Sequence, residues 1–364
     1  MPFIHTLFNR LFMIGSEREL FALITAAPQD PAGFREACAR IDDWERLVEC
    51  ACEQGVAGVI HSEAQKAGVV IPADVARKLE RRVGIGWLHQ AWLRATLADV
   101  LRAFAARGTR VACLKGPALA DRLYADPGLR PSADLDLLIA DADFTAAIET
   151  LSALGWHAEG GHPDRFHRWD RHDVELVRSN APAVELHFRA MCGFGTVVPS
   201  EDLLARARSH RLDGIDTLVL SPEDEVIYLA LHAAWHLLER LGWLYDIKLL
   251  VLGRSELNWE TVRSRARDFR VEMALAFVLG RVRELGAPVP ELRRQPTRAR
   301  AWATERVRRF VLGTPTPPFF LTGFQTLLCD SAPAAATFLA QGLVRMARVR
   351  AEKYLPWIGP QGTP

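Results

Sequence analysis

The sequence lacks an excess of charge of either sign. Its 45 lysine and arginine residues nearly balance 44 aspartate and glutamate residues, so the formal net charge is +1. A chain this close to neutral has no overall field that would attract nucleic acid or an anionic membrane. It also lacks an apolar run of the roughly 18 to 20 residues that a membrane span needs. These two absences argue against a nucleic-acid-binding protein and a membrane-spanning one.

The N-terminal 20 residues lack the features of a signal peptide. Their apolar run is too short, and no small-residue cleavage site follows it. Phe3, Leu7, Leu11 and Phe12 fall at helical spacing, which favours a helix packed on the protein's own core. An anchor on a membrane surface is the alternative interpretation.

The six cysteines do not form a zinc-binding pattern. Cys50 and Cys52 have no second pair to complete a metal site, and a chain of 364 residues does not need a disulfide scaffold. We interpret the cysteines as reduced thiols, which predicts a cytoplasmic protein.

Neither an internal repeat nor a low-complexity segment is present, and the chain divides into three regions by pattern. Residues 1–108 have helical periodicity, with a long helix expected to break near Gly84 and Gly86. Residues 109–200 alternate strand and helix patterns. From residue 201 to 364 the helical period returns, including two helices separated near Gly242. The sequence therefore predicts an α+β protein whose α/β-like core is flanked by helical regions.

The central region holds the strongest local signals. A short apolar run ends at Gly116, and Pro117 then opens a helix, where proline is well tolerated. The segment 133–140 predicts a second strand, a helix follows it, and residues 172–190 predict an antiparallel hairpin. This order predicts a small mixed sheet with helices packed on it.

Two carboxylates project from the second strand. Asp134 and Asp136 are two residues apart and therefore face the same way, while Leu135 and Leu137 face a core. Two neighbouring carboxylates repel each other, and burial increases that cost. A divalent cation removes both penalties, and oxygen ligands favour Mg²⁺ or Mn²⁺.

A third carboxylate is expected on a neighbouring strand. Glu185 alternates with Val184 and Leu186, which puts it on the polar face with His187. Glu175 is a rival in a similar setting, but the pattern around Glu185 is the cleaner one. Two metal ions held by Asp134, Asp136 and Glu185 would suit phosphoryl chemistry.

A phosphate site is predicted just before these acids. Lys115 and Gly116 end a strand directly before a helix, where free backbone N–H groups bind phosphate and glycine allows close approach. Lys115 adds a positive charge. Each signal is weak alone, but their order along the chain favours a catalytic site over an acidic surface strand.

The chain resembles a known family on these residues. The segment LKGPALADRLYADPGLRPSADLDLLI, followed by VELHF and LHAAWHLLERLGWLYDIKLL, is similar to the uncharacterised bacterial nucleotidyltransferases of the polymerase-beta-like superfamily. The resemblance covers about residues 100–260. It implies a nucleotidyltransferase core at residues 109–200, between an N-terminal helical region at 1–108 and a C-terminal helical domain at 201–364.

The family also implies roles for individual residues. Asp134, Asp136 and Glu185 would hold the metal ions, Gly116 would lie in the phosphate-binding turn, and Arg130 would reach the triphosphate or the acceptor. The superfamily usually has a Gly-Ser pair in this turn, whereas Lys115-Gly116-Pro117 stands here. The serine contact to phosphate is therefore missing.

Several further side chains can be interpreted in two ways. His232 and His236 are four apart on a helix, and with His187 they could contact a substrate, although histidines packed between domains are the simpler reading. Trp243 and Tyr245 could stack on a base, but aromatic residues at helical spacing more often belong to a core. Arg130 could instead pair with Asp134 or Asp126, and Asp246 could orient one of the histidines.

Together with these residues, the resemblance implies an enzyme that transfers NMP from an NTP, with ATP as the expected nucleotide, to an acceptor and releases pyrophosphate. The acceptor is a small molecule or a peptide that the sequence does not identify. A non-catalytic nucleotide-binding or scaffold protein that keeps the fold is the alternative, because the serine is absent. A kinase-like or hydrolase activity on the same metal pair is a third class.

Overall fold

The computed structural model describes residues 15–158, 171–254, 257–292, 294–312 and 318–354. The predicted N-terminal segment with Phe3, Leu7, Leu11 and Phe12 lies outside them. The described part is a mixed α+β structure with a seven-stranded sheet and flanking helices, which confirms the predicted fold class. Within it, none of the helices combines the length and apolar character required to cross a lipid bilayer.

Helices form the first part of the described chain. In chain order they are α1 (Gly15–Ala26), α2 (Pro31–Cys38), α3 (Trp44–Glu53), α4 (Ala57–Ala67) and α5 (Ala73–Ala106). Asp30 and Asp43 cap the starts of α2 and α3 by accepting hydrogen bonds from the backbone N–H groups of Gly33 and Arg46. Gly68 ends α4 in the left-handed conformation.

Helix α5 runs without a break for 34 residues, so the predicted break near Gly84 and Gly86 is wrong. A glycine costs only about 1 kcal/mol inside a helix, and packing can offset that cost. Close packing explains the glycine at position 86, because a Cβ there would lie 2.5 Å from the carbonyl oxygen of Gly128. The glycine lets α5 approach the loop that leads into the acid-bearing strand.

The central sheet is mixed, as the sequence predicts. Its strands are β1 (Ala112–Cys113), β2 (Asp134–Leu138), β3 (His157–Ala158), β4 (Asp173–Val177), β5 (Ala183–His187), β8 (Arg208–Leu212) and β9 (Ile215–Val219). They are ordered β3-β4-β5-β2-β1-β9-β8, with β2–β5 and β1–β9 parallel and the other pairs antiparallel. A separate two-stranded sheet contains β6 (Arg189–Gly193) and β7 (Thr196–Pro199).

The hairpin of β8 and β9 differs from the sequence expectation, which placed helical structure from residue 201 onward. Strand β8 is an edge strand with mostly polar residues, so it lacks the apolar alternation that usually reveals a strand. A turn signal was nevertheless present. Asp213 and Gly214 both have positive φ, 51° and 81°, and an Asp-Gly pair of this kind joins the strands of a tight hairpin.

The two faces of the sheet have different roles. Leu135, Leu137, Val184 and Leu186 are buried in one cluster with the second half of α5, including Phe104. Helices α6 (Gly116–Leu123) and α7 (Phe144–Ala153) lie between the strands along the chain. Because side chains alternate along a strand, the acids of β2 and β5 project from the opposite face.

Helices also follow the sheet toward the C-terminus. They are α8 (Ser200–Arg206), α9 (Pro222–Trp235), α10 (Leu241–Leu252), α11 (Trp259–Asp268), α12 (Glu272–Glu284), α13 (Arg298–Leu312), α14 (Pro318–Thr326) and α15 (Ala332–Tyr354). The predicted division between α9 and α10 is present, but it falls at residues 236–240, and Gly242 lies inside α10. The N–H of Gly242 donates to the carbonyl of Gln54, 2.9 Å away, so α10 begins against the N-terminal helices.

Candidate functional site

Two acids from adjacent strands meet on the polar face of the sheet. Strands β2 and β5 are parallel, and their register places Asp136 directly opposite Glu185. Neighbouring strands are only about 4.8 Å apart, so two carboxylates at paired positions on one face must lie close together. The Asp136 side chain is fully buried, and that of Glu185 is 31% exposed.

His187 completes a cluster of three. Its Nε2 lies 3.5 Å from Oδ1 of Asp136 and 3.7 Å from Oε2 of Glu185. One ligand atom from each of the three residues lies within 4.8 Å of the other two. We call Asp136, Glu185 and His187 the acid–imidazole cluster.

Asp134, a predicted metal ligand, and Glu175, the alternative to Glu185, lie outside this cluster. Asp134 is on the same face of β2 but is not part of the set of ligand atoms within 4.8 Å. Burial and the charge of Asp136 raise the pKa of Asp134 to about 7. Glu175 pairs with Glu185 across β4 and β5 but is exposed. The structure thus brings Glu185, rather than Glu175, together with Asp136.

Lys115 points at the cluster from the bend before α6. Its Nζ lies 2.8 Å from Oδ1 of Asp136 and 3.4 Å from both ring nitrogens of His232. An ammonium can only donate, so His232 accepts. Gly116 has φ +65°, and a Cβ there would be 3.3 Å from the carbonyl oxygen of Asp134. The glycine therefore lets the bend lie close to β2.

The charges in the cluster compensate one another. Burial alone would raise the pKa of Asp136, but Lys115 and His187 hold it well below its usual range. Burial alone would lower the pKa of His187, but Asp136 and Glu185 raise it to about 9. Burial likewise opposes the charge of Lys115, while Asp136 and the other acids raise the pKa of its ammonium.

Two observations indicate that the cluster can hold a divalent cation. Among the described residues, Oδ2 of Asp136 and both ring nitrogens of His187 are buried without a hydrogen-bond partner, and buried polar atoms normally have one. Two carboxylates and an imidazole are also ordinary ligands of divalent metals.

Arg130 forms an ion pair with Asp246. Its guanidinium donates from Nε and Nη2 to the carboxylate of Asp246 at 2.9–3.1 Å, and from Nη1 to Ser132. Tyr124 donates a further hydrogen bond to Asp246. All of these partners are consistent with a buried structural ion pair, and neither Asp134 nor Asp126, the partners weighed from the sequence, is among them.

His232 and His236 lie next to each other at the end of α9, and His232 contacts Lys115. Their ring centroids are 4.7 Å apart, and the Trp243 ring lies 4.9 Å from His232 and 5.4 Å from His236. Burial, followed by the charge of Lys115, lowers the pKa of His232 well below its usual range. Tyr245 is buried in the core, as its helical spacing suggests.

Two aromatic neighbours of the cluster were missed by sequence reasoning. The ring of His172 lies 5.5 Å from that of His187, and the ring of Tyr228 lies 6.3 Å from it. Burial lowers the pKa of His172 to about 4. His172 directly precedes the acids of β4 in the sequence, which was the one local signal for it, whereas Tyr228 approaches only through the packing of α9.

Comparison with known proteins gives one family match. The model of a family described as uncharacterised nucleotidyltransferase matches residues 41–287, well over half of the chain. No curated protein is significantly similar to the chain. A solved structure of an antigenic nucleotidyltransferase-like protein from Paracoccidioides brasiliensis is 18% identical, covering 55% of this chain and 94% of that one, with a TM-score of 0.32. The likeness is too low to support any argument about the site.

The matched residues include both acid-bearing strands, the Lys115-Gly116 bend, and helices α9 and α10. The chain belongs to the family of uncharacterised nucleotidyltransferases.

Proposed function

We propose that the protein is a metal-dependent nucleotidyltransferase that transfers NMP from an NTP to a small-molecule or peptide acceptor. One observation carries the proposal: Asp136 and Glu185 meet on adjacent strands beside the Lys115-Gly116 bend. Membership of the family supports the reaction class. ATP is the nucleotide that we expect, and Mg²⁺ or Mn²⁺ the ions.

Each residue near the cluster has a proposed role. Asp134, Asp136 and Glu185 would hold the ions, which when bound neutralise phosphate charge. Lys115 would exchange its contact with Asp136 for a phosphate oxygen. Gly116 would let the phosphates approach the free N–H groups at the start of α6.

The transfer itself would be an in-line displacement. The acceptor oxygen would lose its proton to Glu185, which is partly exposed and can meet a second substrate. That oxygen would form a bond to the α-phosphorus while the bond from the α-phosphorus to the bridging oxygen of pyrophosphate breaks. His232 and His236 would flank the nucleotide.

The proposal is tested with NTPs that carry the label on the α-phosphate. The full chain, a divalent ion and an extract of host metabolites and peptides are incubated, and products are separated by chromatography. We expect a labelled acceptor and pyrophosphate with wild type and with Glu175→Gln, and no labelled acceptor with Asp136→Asn. Labelled product that is equal with Asp136→Asn, or release of phosphate in place of pyrophosphate, would contradict NMP transfer.

A second candidate function is a non-catalytic nucleotide-binding or scaffold protein. The observation that favours it is the contact between Lys115 and Asp136, since an ammonium already compensates the buried carboxylate at 2.8 Å. The two functions differ in whether nucleotide binding requires a metal ion.

A further inference from the structure

We infer that His187 is a direct metal ligand, so that the acid–imidazole cluster selects Mn²⁺ over Mg²⁺. The inference rests on the proposed function of the same site and deepens it. It adds a nitrogen ligand to a set that the sequence predicts to be all oxygen.

The separations between the three side chains are the first support. Hydrogen bonds from nitrogen to oxygen are about 2.7–3.2 Å long, whereas Nε2 of His187 lies 3.5 Å from Asp136 and 3.7 Å from Glu185. Ligand atoms that share a metal ion with bonds of about 2.1 Å are roughly 3.0–3.4 Å from each other. The ring is thus slightly too distant to bond either acid but close to the spacing of a coordination sphere.

The absence of other partners is the second support. The His187 side chain is 4% exposed, and neither ring nitrogen has a hydrogen-bond partner within the described part of the chain. Only the charges of Asp136 and Glu185, at distances beyond an ordinary hydrogen bond, then offset the burial of the ring. Coordination by Nε2 would give one ring nitrogen a bonded partner.

Lys115 determines which atoms of Asp136 remain available. Its ammonium approaches Oδ1 at 2.8 Å, while Oδ2 of Asp136 is buried without a hydrogen bond from any described residue. A cation can therefore use Oδ2 of Asp136 while Lys115 keeps Oδ1, the oxygen from which the 3.5 Å separation of His187 is measured. The site then offers the cation two carboxylates and one imidazole, which releases its proton when it binds the ion.

The identity of the ligands sets the preference among ions. Imidazole nitrogen binds the later divalent metals better than Mg²⁺, which favours carboxylate and water oxygen. Mn²⁺ accepts both kinds of ligand and serves in the same chemistry as Mg²⁺. A set of two carboxylates and one imidazole therefore favours Mn²⁺.

Electron spin echo spectroscopy of Mn²⁺ bound to the full chain, without nucleotide, tests the inference. Wild type should show nitrogen coupling from a directly bound imidazole. His187→Gln should lose this coupling and weaken Mn²⁺ binding by roughly tenfold or more, while Glu175→Gln should keep both. The absence of nitrogen coupling in wild type, or its persistence in His187→Gln, would overturn the inference.

A second variant covers the case in which His187→Gln does not fold. His187→Asp makes the ligand set all oxygen, and it should lower the ratio of Mn²⁺ to Mg²⁺ affinity measured by competition, with circular dichroism as the check on folding. An unchanged ratio would refute a nitrogen ligand. Because both measurements use the metal alone, they are independent of whether NMP transfer occurs.

Discussion

Arg130 and Asp246 form a buried ion pair between residues 116 positions apart in the chain. Removing one member of such a pair leaves a charge without compensation and costs about 3–5 kcal/mol. We predict that Arg130→Met lowers the free energy of unfolding by this amount in urea titrations. The double variant Arg130→Met/Asp246→Leu should recover part of the loss, since neither charge then remains.

The same variants separate a structural role from a phosphate-binding one. Arg102→Met removes an exposed contact with Asp99 and should leave the unfolding midpoint unchanged. If Arg130→Met instead keeps wild-type stability and weakens NTP binding, Arg130 contacts the nucleotide as the family implies, and the account of the ion pair is wrong.

Individual residues of the site were predictable to different extents. Alternation along two short strands was sufficient to place Asp136 and Glu185 on one face, because side chains in a strand repeat every two residues. The partner of Arg130 was not predictable, since Asp246 belongs to α10 and nothing in the sequence states how that helix packs. His187 was placed on the correct face, but its distance from both acids depends on strand register.

At the scale of elements, helix α5 contacts the loop before β2 through Gly86. Gly86→Ala would place a methyl group 2.5 Å from the carbonyl oxygen of Gly128, so the helix and the loop must separate. We predict a loss of about 1–3 kcal/mol in the free energy of unfolding. Gly84→Ala is the matched control: nothing lies within 4 Å of its Cβ, and alanine should add about 0.5–1 kcal/mol.

Urea unfolding of the two variants measures this difference. Equal midpoints for Gly86→Ala and Gly84→Ala would show that α5 does not approach the loop closely.

Lys248 of α10 caps the end of α1 from inside the protein. Its Nζ donates to the carbonyls of Ile24 and Thr25 at 2.9 and 2.8 Å, which belong to the last turn of that helix. A positive charge is favourable at a helix C-terminus, but burial lowers the pKa of Lys248 to about 8. The Lys248 ammonium therefore loses its proton more readily in the folded protein than in the unfolded chain.

This shift predicts that the contribution of Lys248 to stability increases with pH. Between about pH 8 and pH 10.5 the unfolded chain keeps the proton of Lys248 and the folded protein releases it, so this contribution to the free energy of unfolding rises with pH. Since one pKa unit corresponds to about 1.4 kcal/mol and solvent screening reduces the effect, we expect a gain of about 2 kcal/mol. Thermal and urea unfolding at several pH values measure it.

Lys248→Met is the variant that isolates this effect. It should be less stable than wild type, and the difference should grow as the pH rises from 8 to 10.5. A difference that stays constant over this range would contradict the pKa assigned to the buried lysine.

At the scale of the whole molecule, the fold class was predictable and the connections across the sheet were only partly so. The order of strand and helix patterns in the central region indicates a mixed sheet flanked by helices. The β8–β9 hairpin pairs with β1 through β9, a contact between residues about a hundred positions apart. Its edge strand β8 is mostly polar, so no alternation of apolar and polar residues indicates a strand there. The helical pattern of α9 does not indicate that this helix packs over the polar face of the sheet.

Packing of α9 on the sheet adds side chains from this helix to the site. Helix α9 brings Tyr228 and His232 to the face of the sheet that carries Asp136 and Lys115. The site thus combines residues from the bend before α6, two strands and one distant helix. A motif of a few residues therefore predicts where the site is in the chain, but not all of the side chains that line it.

The central claim is that the face carrying Asp136, Glu185 and Lys115 binds a nucleotide through a divalent ion. Calorimetry with an NTP analogue that cannot be cleaved between the α- and β-phosphates measures this directly. We predict binding by wild type and Glu175→Gln only when Mn²⁺ or Mg²⁺ is present, and an affinity at least about tenfold weaker for Asp136→Asn. Equal binding without a metal ion, or an unchanged affinity in Asp136→Asn, would contradict the account and favour a scaffold that binds nucleotide by other means.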